Sequence, residues 1–432
     1  MKVSKISIWI LFLCLCLNVL IYAQGETAVP FLLITSSSEG NGMGGISASV
    51  LSDNAMAMTA NPGQLGIQSL DSYFRTSFYT PKTDWIPPFQ QKDLTFNTTA
   101  LSLGVNLNKV TSFPFPLSVG IGYSRIFLNL GTFVVTGSDP TPIATIEGYE
   151  KAENISLALG LDYIVKVGIG VNVKNIDSHI LLPDSTLPSS SRSAFANAQD
   201  FGIMLHVPVT DIISKLRSEP WAIFAHTEPQ FNLTFAYVHS NNGSEIQYLP
   251  ISGSDPLPRK ATLGGSFEIG LVSTAALEKW KIVSLTMARE ADDILVNRFP
   301  TTFDSNGVPT FPQPPFEYQG GTGDIDFFNN VILGEWNGKV FLHKGWQINL
   351  GEILYIRGGS VEAPGLRYST SGFGFRLHGV FNLIEALDKS EISSSVLSFV
   401  ANHIDLQFDH SSETSEGPRN GTSYNGLSFI IK

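Results

Sequence analysis

The sequence predicts an all-β protein: a transmembrane antiparallel β-barrel of about 14 strands with an N-terminal hatch or plug segment. Three observations lead there. Large apolar side chains alternate with small or polar ones through most of the chain after Leu70, which is the period of a strand and not of a helix. The 432 residues are 43% hydrophobic but only 15% charged, with 39 Gly and 24 Pro. That charge content is well below the roughly 25% of a soluble domain, and so much Gly and Pro does not suit a helical membrane bundle. Beyond the N-terminal segment, no run approaches the roughly 18 consecutive apolar residues that a spanning helix needs. The balance of 27 basic against 38 acidic residues excludes a nucleic-acid binder, which needs clustered cations to release phosphate counterions. An aromatic content of 11% excludes disorder.

Residues 1–23 read as a secretory signal peptide. Lys2 and Lys5 form a basic start, the stretch 6–22 is uncharged, and Ala23 precedes polar Gln24, the order expected for a cleaved leader. Both cysteines, Cys14 and Cys16, fall in this segment, so the mature chain is expected to hold neither a disulfide nor a thiol nucleophile. Losing Lys2 and Lys5 lowers the basic count from 27 to 25 against 38 acids, a net charge of −13.

Residues 24–68 do not alternate and read as the plug. Pro30 stiffens an extended start, and Gly42, Gly44 and Gly45 allow backbone to approach closely. The stretch 47–60, rich in Ala and Met, suits a short helix stopped by Asn61-Pro62.

Residues 69–432 read as the barrel. In Ile155-Ser156-Leu157-Ala158-Leu159-Gly160-Leu161 each odd position is large and apolar, and the phase resumes in Val167-Gly168-Ile169-Gly170-Val171 after a tight turn, a β-hairpin. Further segments lie at 73–79, 101–107, 117–123, 201–207, 231–237, 263–269, 282–287, 332–342, 348–358, 373–378, 404–408 and 427–431. A soluble sandwich would alternate as well, but it would turn charged residues toward water. Here the second face is mostly Gly, Ser, Asn and Ala, which suits a lumen, with Leu, Ile, Val and Phe turned toward lipid. Lys174, Glu268, Arg357, Arg376 and His378 share the small-residue face and are expected to point inward, pairing and anchoring the plug or lining a solute path. Short periplasmic connections are expected at 108–115, near Val165, at 272–279 and at 343–345. Long outer ones are expected at 80–97, 127–153, 179–194, 240–258 and 290–328. Two periplasmic links, 210–230 and 384–401, carry short amphipathic helices, and Trp280 and Trp346 stand near strand starts where interfacial aromatics belong.

Other chemistry finds little footing. Gly40-Asn41-Gly42-Met43-Gly44-Gly45 satisfies G-x-G-x-x-G, yet no βαβ unit surrounds it. The histidines show no metal-ligand spacing, and no G-x-S-x-G elbow occurs. The acids of Glu290-Ala291-Asp292-Asp293 and Asp324-Ile325-Asp326 read as hydrated groups of the longest outer loop. The chain is therefore expected to be no enzyme, with no catalytic residues, no metal and no cofactor.

The N-terminal order Ala28-Val29-Pro30-Phe31-Leu32-Leu33-Ile34, Gly42-Met43-Gly44-Gly45, Ser52-Asp53-Asn54-Ala55 and Asn61-Pro62-Gly63-Gln64-Leu65 resembles the hatch region of PorV-type outer-membrane proteins of the type IX secretion system, grouped with the FadL-like transporters. The hatch motif maps onto Pro30, Phe31, Gly42, Met43, Gly44, Gly45, Asp53, Asn61 and Pro62. Ser36-Ser37-Ser38-Glu39-Gly40 stands where the family has an acidic-Ser-Arg-Ala stretch, and Asn-Pro continues with Gly-Gln. The resemblance implies a bacterial outer-membrane protein, surrounded by outer-membrane lipid, that receives or shuttles secreted cargo from a translocon through outer loops such as 84–91 and 290–328. It also admits a FadL-like channel for hydrophobic small molecules. The barrel reading has a direct check: protein from the membrane fraction should migrate faster unboiled than boiled in denaturing gels, whereas soluble, unshifted protein would end it.

Overall fold

The computed structural model describes residues 27–79, 83–84, 94–111, 114–136, 139, 141–180, 193–217, 221–224, 226–248, 253–274, 279–299, 302–303, 309–310, 315–387, 403–417 and 419–432. The expected leader 1–23 lies outside the described residues, as do 85–91 of the first outer loop and 388–401 of the second helical link.

Fourteen strands form one antiparallel barrel. They are β1 (Phe74–Tyr79, continued by Thr83–Asp84), β2 (Leu94–Asn106), β3 (Leu117–Thr136), β4 (Pro142–Asp162), β5 (Lys166–His179), β6 (Ser193–Pro208) and β7 (Thr227–Gly243). The circuit continues through β8 (Lys260–Ser273), β9 (Trp280–Ile294), β10 (Phe341–Leu350), β11 (Leu354–Ala363), β12 (Leu366–Arg376), β13 (Ile404–Ser415) and β14 (Ser423–Ile431). Each strand pairs with its sequence neighbours, and β1 closes the ring: Thr76 stands opposite Leu101 of β2 on one side and Phe429 of β14 on the other. Closure removes every free edge, as hydrocarbon requires.

The polarity is inside out. On β4, Ile155, Leu157 and Leu159 are 54%, 52% and 53% exposed, whereas Ser156 between them is 0% exposed. Burying such a side chain is worth roughly 1.5–3 kcal/mol, so a continuous wall of them belongs in lipid. The strands bear the hydrophobic belt, and the inward face holds the plug.

Several connections differ from expectation. Segment 127–153 is largely strand, because β3 and β4 stay paired beyond the apolar belt, whereas the connection expected at 240–258 follows the end of β7 at Gly243. Residues 343–345 lie within β10; the periplasmic turn is at 351–353, where Gly351 and Glu352 take φ of 64° and 54°. Of the expected strand 332–342 only 341–342 belong to β10; its first two residues end a π-helical turn, Phe327–Leu333, and an irregular stretch lies between. Likewise 348–358 spans a hairpin, since alternation of apolar residues carries no mark of reversal when the turn itself is apolar. The link 210–230 holds a helix at Val209–Arg217, whereas the helix of the second link begins earlier, at Leu377–Leu387. His378 is therefore a helix residue, its backbone N–H donating to Asp405 Oδ1 at 3.0 Å, and not a strand side chain. Trp280 opens β9 but is buried, and Trp346 sits in the middle of β10 facing outward.

Closure can be tested at the seam. Ser77 of β1 and Ser428 of β14 stand opposite one another with hydroxyls 2.8 Å apart, and directly paired residues fall within disulfide reach. A Ser77→Cys, Ser428→Cys double variant should form an intramolecular disulfide, giving a faster band on nonreducing gels after boiling. No such band under oxidising conditions would contradict the ring.

Candidate functional site

The site is the lumen and the segment that fills it. Residues 27–72 cross the interior as a 3-10 turn (Pro30–Leu33) and three short helices, α1 (Ser38–Gly42), α2 (Ala57–Ala60) and α3 (Gly63–Gln68). The helix expected over 47–60 is confined to α2, because the preceding stretch gives its backbone groups to the wall. Such short helices satisfy few of their own backbone groups, so barrel side chains complete them.

Glu290 does most at the centre. Its Oε1 accepts from the N–H groups of Ala48 at 2.8 Å and Ser49 at 2.7 Å and from the Ser49 hydroxyl at 2.8 Å. This acid lies buried on β9 and not in a hydrated loop. Asp292, two residues on, pairs with Lys260 on the same inner face. The signal was in the sequence: Ser284, Thr286, Ala288, Glu290 and Asp292 continue one small-residue face without a break.

The glycine turn meets the neighbouring strands β10 to β12. Gly44, at φ 75°, donates its N–H to Thr370 Oγ1 at 2.8 Å. Its carbonyl lies 2.7 Å from His343 Nδ1, so that nitrogen carries the proton. A Cβ on Gly44 would press on the backbone of Ser360 and Lys344. Gly42 packs beside Gly372 and Arg357, Gly45 faces the His343 ring, and Met43 is buried with Ile46, Val50 and Ala288. At the other end Asn61 Nδ2 donates to the carbonyls of Ala48 and Ile203, both at 3.1 Å, and Pro62 rests on Gly170 and Gly202. Helix α3 lies so close to β4 that Gly66 touches the backbone of Leu159 and Gly160. The small lumenal residues thus make room for plug backbone, not for water.

Charged groups form separate locks. Arg357 donates Nη1 to Asp409 at 2.6 Å, Nε to Gln347 at 2.6 Å and Nη2 to plug residue Glu39 at 3.2 Å. Arg376 pairs with Asp409 Oδ2 at 3.0 Å and stands 4.0 Å from Glu39. Two wall arginines therefore hold one wall acid and one plug acid. Lys174 is elsewhere, 2.9 Å from Asp200 and 2.7 Å from Asn241. Glu268 is elsewhere again, bound to Lys281 at 2.7 Å, Ser284 at 2.9 Å and Asn232 at 3.0 Å. Of the five inward candidates, only Arg357 and Arg376 reach the plug. Sequence reasoning missed Glu39, Glu290 and the fully buried Arg75, which donates to the Gln68 carbonyl at 2.9 Å and Ser72 at 2.7 Å and stands 3.8 Å from Asp53.

Cavities flank the plug. Above it, a space of about 260 Å³ is lined by Pro30, Phe31, Ile34, Leu128, His343 and Tyr368. Below it, a polar space of about 230 Å³ is lined by Glu39, Asp53, Glu268, Lys281, Glu352 and Arg376. Beside the upper space, Val29 and Phe31 fill an apolar chamber formed by Phe96, Ile126, Leu128, Ile176 and Tyr424.

Fold and site together define a plugged transmembrane β-barrel. No family model and no curated protein matches the chain. Among solved structures it is similar to a FadL homologue of Pseudomonas aeruginosa, at 10% identity over 92% of this chain and 97% of that one, TM-score 0.33. It is similar to the toluene transporter TodX of Pseudomonas putida, at 10% identity over 91% and 96%, TM-score 0.30. It is similar also to LpxR of Salmonella typhimurium, at 8% identity over 83% and 99%, TM-score 0.31. The barrel is established by its own strand pairing and not by these likenesses.

Removing one partner of a buried ion cluster costs about 3–5 kcal/mol, and orphaning a buried donor about 1–3 kcal/mol. Glu39→Ala and Glu290→Ala should each loosen the plug by amounts of this order while the barrel persists. Single-channel recordings in planar bilayers should show openings in either variant that the parent lacks, and the double variant should approach the conductance of a chain deleted for residues 29–60. Unchanged conductance in both variants would show that these contacts do not hold the plug.

Proposed function

We propose that this protein resides in a bacterial outer membrane and serves as a type IX protein-secretion accessory, receiving or shuttling cargo at the cell surface with its plug in place. What supports this reading is the manner in which the lumen is filled. The plug is held by Glu290, Arg357 and Thr370 of β9, β11 and β12 and, across the lumen, by Ser77, Ser118 and Asn172 of β1, β3 and β5, which suits a barrel that works at its outer face. That face carries an exposed aromatic in the loop between β9 and β10, Phe328, which is 61% exposed. Exposed aromatics beyond the strand ends suit protein contact. The hatch order at 28–65 adds the resemblance to PorV-type proteins.

A second reading, a FadL-like channel for hydrophobic small molecules, draws on the apolar chamber around Val29 and Phe31. In that reading the 27–35 segment withdraws and a solute takes its place. The two readings separate experimentally. Mild detergent extraction with crosslinking should recover a translocon component or secreted cargo, and Phe328→Asp should reduce recovery several-fold without altering heat-modifiable migration. Recovery of the barrel alone, together with uptake of labelled fatty acid or toluene that depends on the protein, would favour the channel.

A further inference from the structure

A third cavity lies outside the barrel. It has a volume of about 540 Å³, within the roughly 300–1,000 Å³ range of ligand sites. Its floor is the outer wall of β7 to β10, with Leu233, Phe235, Phe267, Met287 and Trp346 turned toward lipid, and its roof is Val331 and Ile332 of the loop between β9 and β10. That loop folds down the outside of the barrel: Ile325, Val331 and Val340 cover Ala261 and Ala291, so the cavity opens beneath a built overhang.

Two cations stand in this apolar setting. Arg289 of β9 and Lys344 of β10 line the cavity and are direct cross-strand partners, and like charges directly opposite one another repel. The guanidinium of Arg289 donates to the Ile332 carbonyl, which fixes it under the roof, and among the described residues it has no carboxylate partner. Lys344 lies 3.5 Å from Glu362, which Arg367 also engages. Two outward cations thus share one acid near the outer end of the wall, and Arg289 beside them has none among the described residues. Lys344 is three residues from the outer end of β10.

We propose that this wall pocket binds a phosphate-bearing lipid of net negative charge from the surrounding membrane, the phosphate between Arg289 and Lys344, with no head-group cation to repel them, and an acyl chain along Phe235, Phe267 and Met287. A guanidinium offers paired donors to phosphate oxygens, and an anion placed there converts the repulsive pair into a clamp. This site is independent of the plug and of either functional reading. A lipid seated in it buttresses the loop overhang, because its phosphate and the Ile332 carbonyl share Arg289.

The test uses the full chain in a neutral maltoside detergent. Phosphatidylglycerol and phosphatidylcholine of identical acyl chains are added separately, and retained lipid is counted by native mass spectrometry. Phosphatidylglycerol should be retained at least about tenfold more, the Arg289→Gln, Lys344→Gln double variant should abolish the difference, and Arg289→Lys should keep most of it. Gly265→Leu, which projects into the cavity with its nearest neighbours 3.6 Å from the new Cβ, should displace lipid without changing charge. Heat-modifiable migration verifies that each variant is folded, and the parent comparison stands should one fail. Equal retention of the two lipids, undiminished binding by a folded double variant, or full release by inorganic phosphate alone would overturn the proposal.

Discussion

The interior of a 14-strand ring is wide enough to pass solutes unless it is filled, and the filling here is a segment of turns and short helices whose ends leave backbone groups without partners of their own. Every N–H and C=O that the plug carries inward must find a partner, since an orphaned buried group costs as much as a lost bond. The wall meets that demand one contact at a time: Glu290 for Ala48 and Ser49, Thr370 for Gly44, Ser118 for Gly66, Asn172 for Met58. Such contacts require backbone to lie against backbone, which in turn requires the wall to be small. The lumenal composition follows from this constraint.

Charge enters the same interior at a cost. Burying Arg357, Arg376, Asp409 and Glu39 forfeits hydration that pairing only partly returns. Balanced pairs are nevertheless directional, whereas a small-residue surface is smooth. An apolar plug could slide along strands of Gly, Ser and Ala; a carboxylate held by two fixed arginines cannot. The ion cluster sets position, and the backbone contacts set fit. Keeping the hydrophobic belt outside and the polar network inside also explains a mean hydropathy of only +0.11 in a membrane-spanning chain.

The strand count and the inward or outward sense of most strands were legible because side-chain direction alternates locally, whatever the partner strand is. Boundaries were less so. Alternation at 348–358 ran through the apolar turn at 351–353, and acids at the end of β9 looked like loop because charge near a strand end ordinarily signals solvent. The plug's glycines and Asn61-Pro62 were visible as residues needing special backbone, but the helix expected over 47–60 shrank to four residues once the wall claimed the neighbouring amides.

Taken alone, the sequence determined the inside-out alternation, the all-β class and a non-alternating N-terminal segment of small residues. Each depends on neighbours a few positions apart. The tertiary structure alone decided that Glu39 meets Arg357, 318 residues away, that Glu290 and not a hydrated loop holds the plug, and that Arg289 and Lys344 stand together under a folded loop. These juxtapositions depend on strand register, on closure of the ring and on the path of a loop down its outer wall. Alternation says which face a side chain takes, but only pairing says which side chain stands beside it.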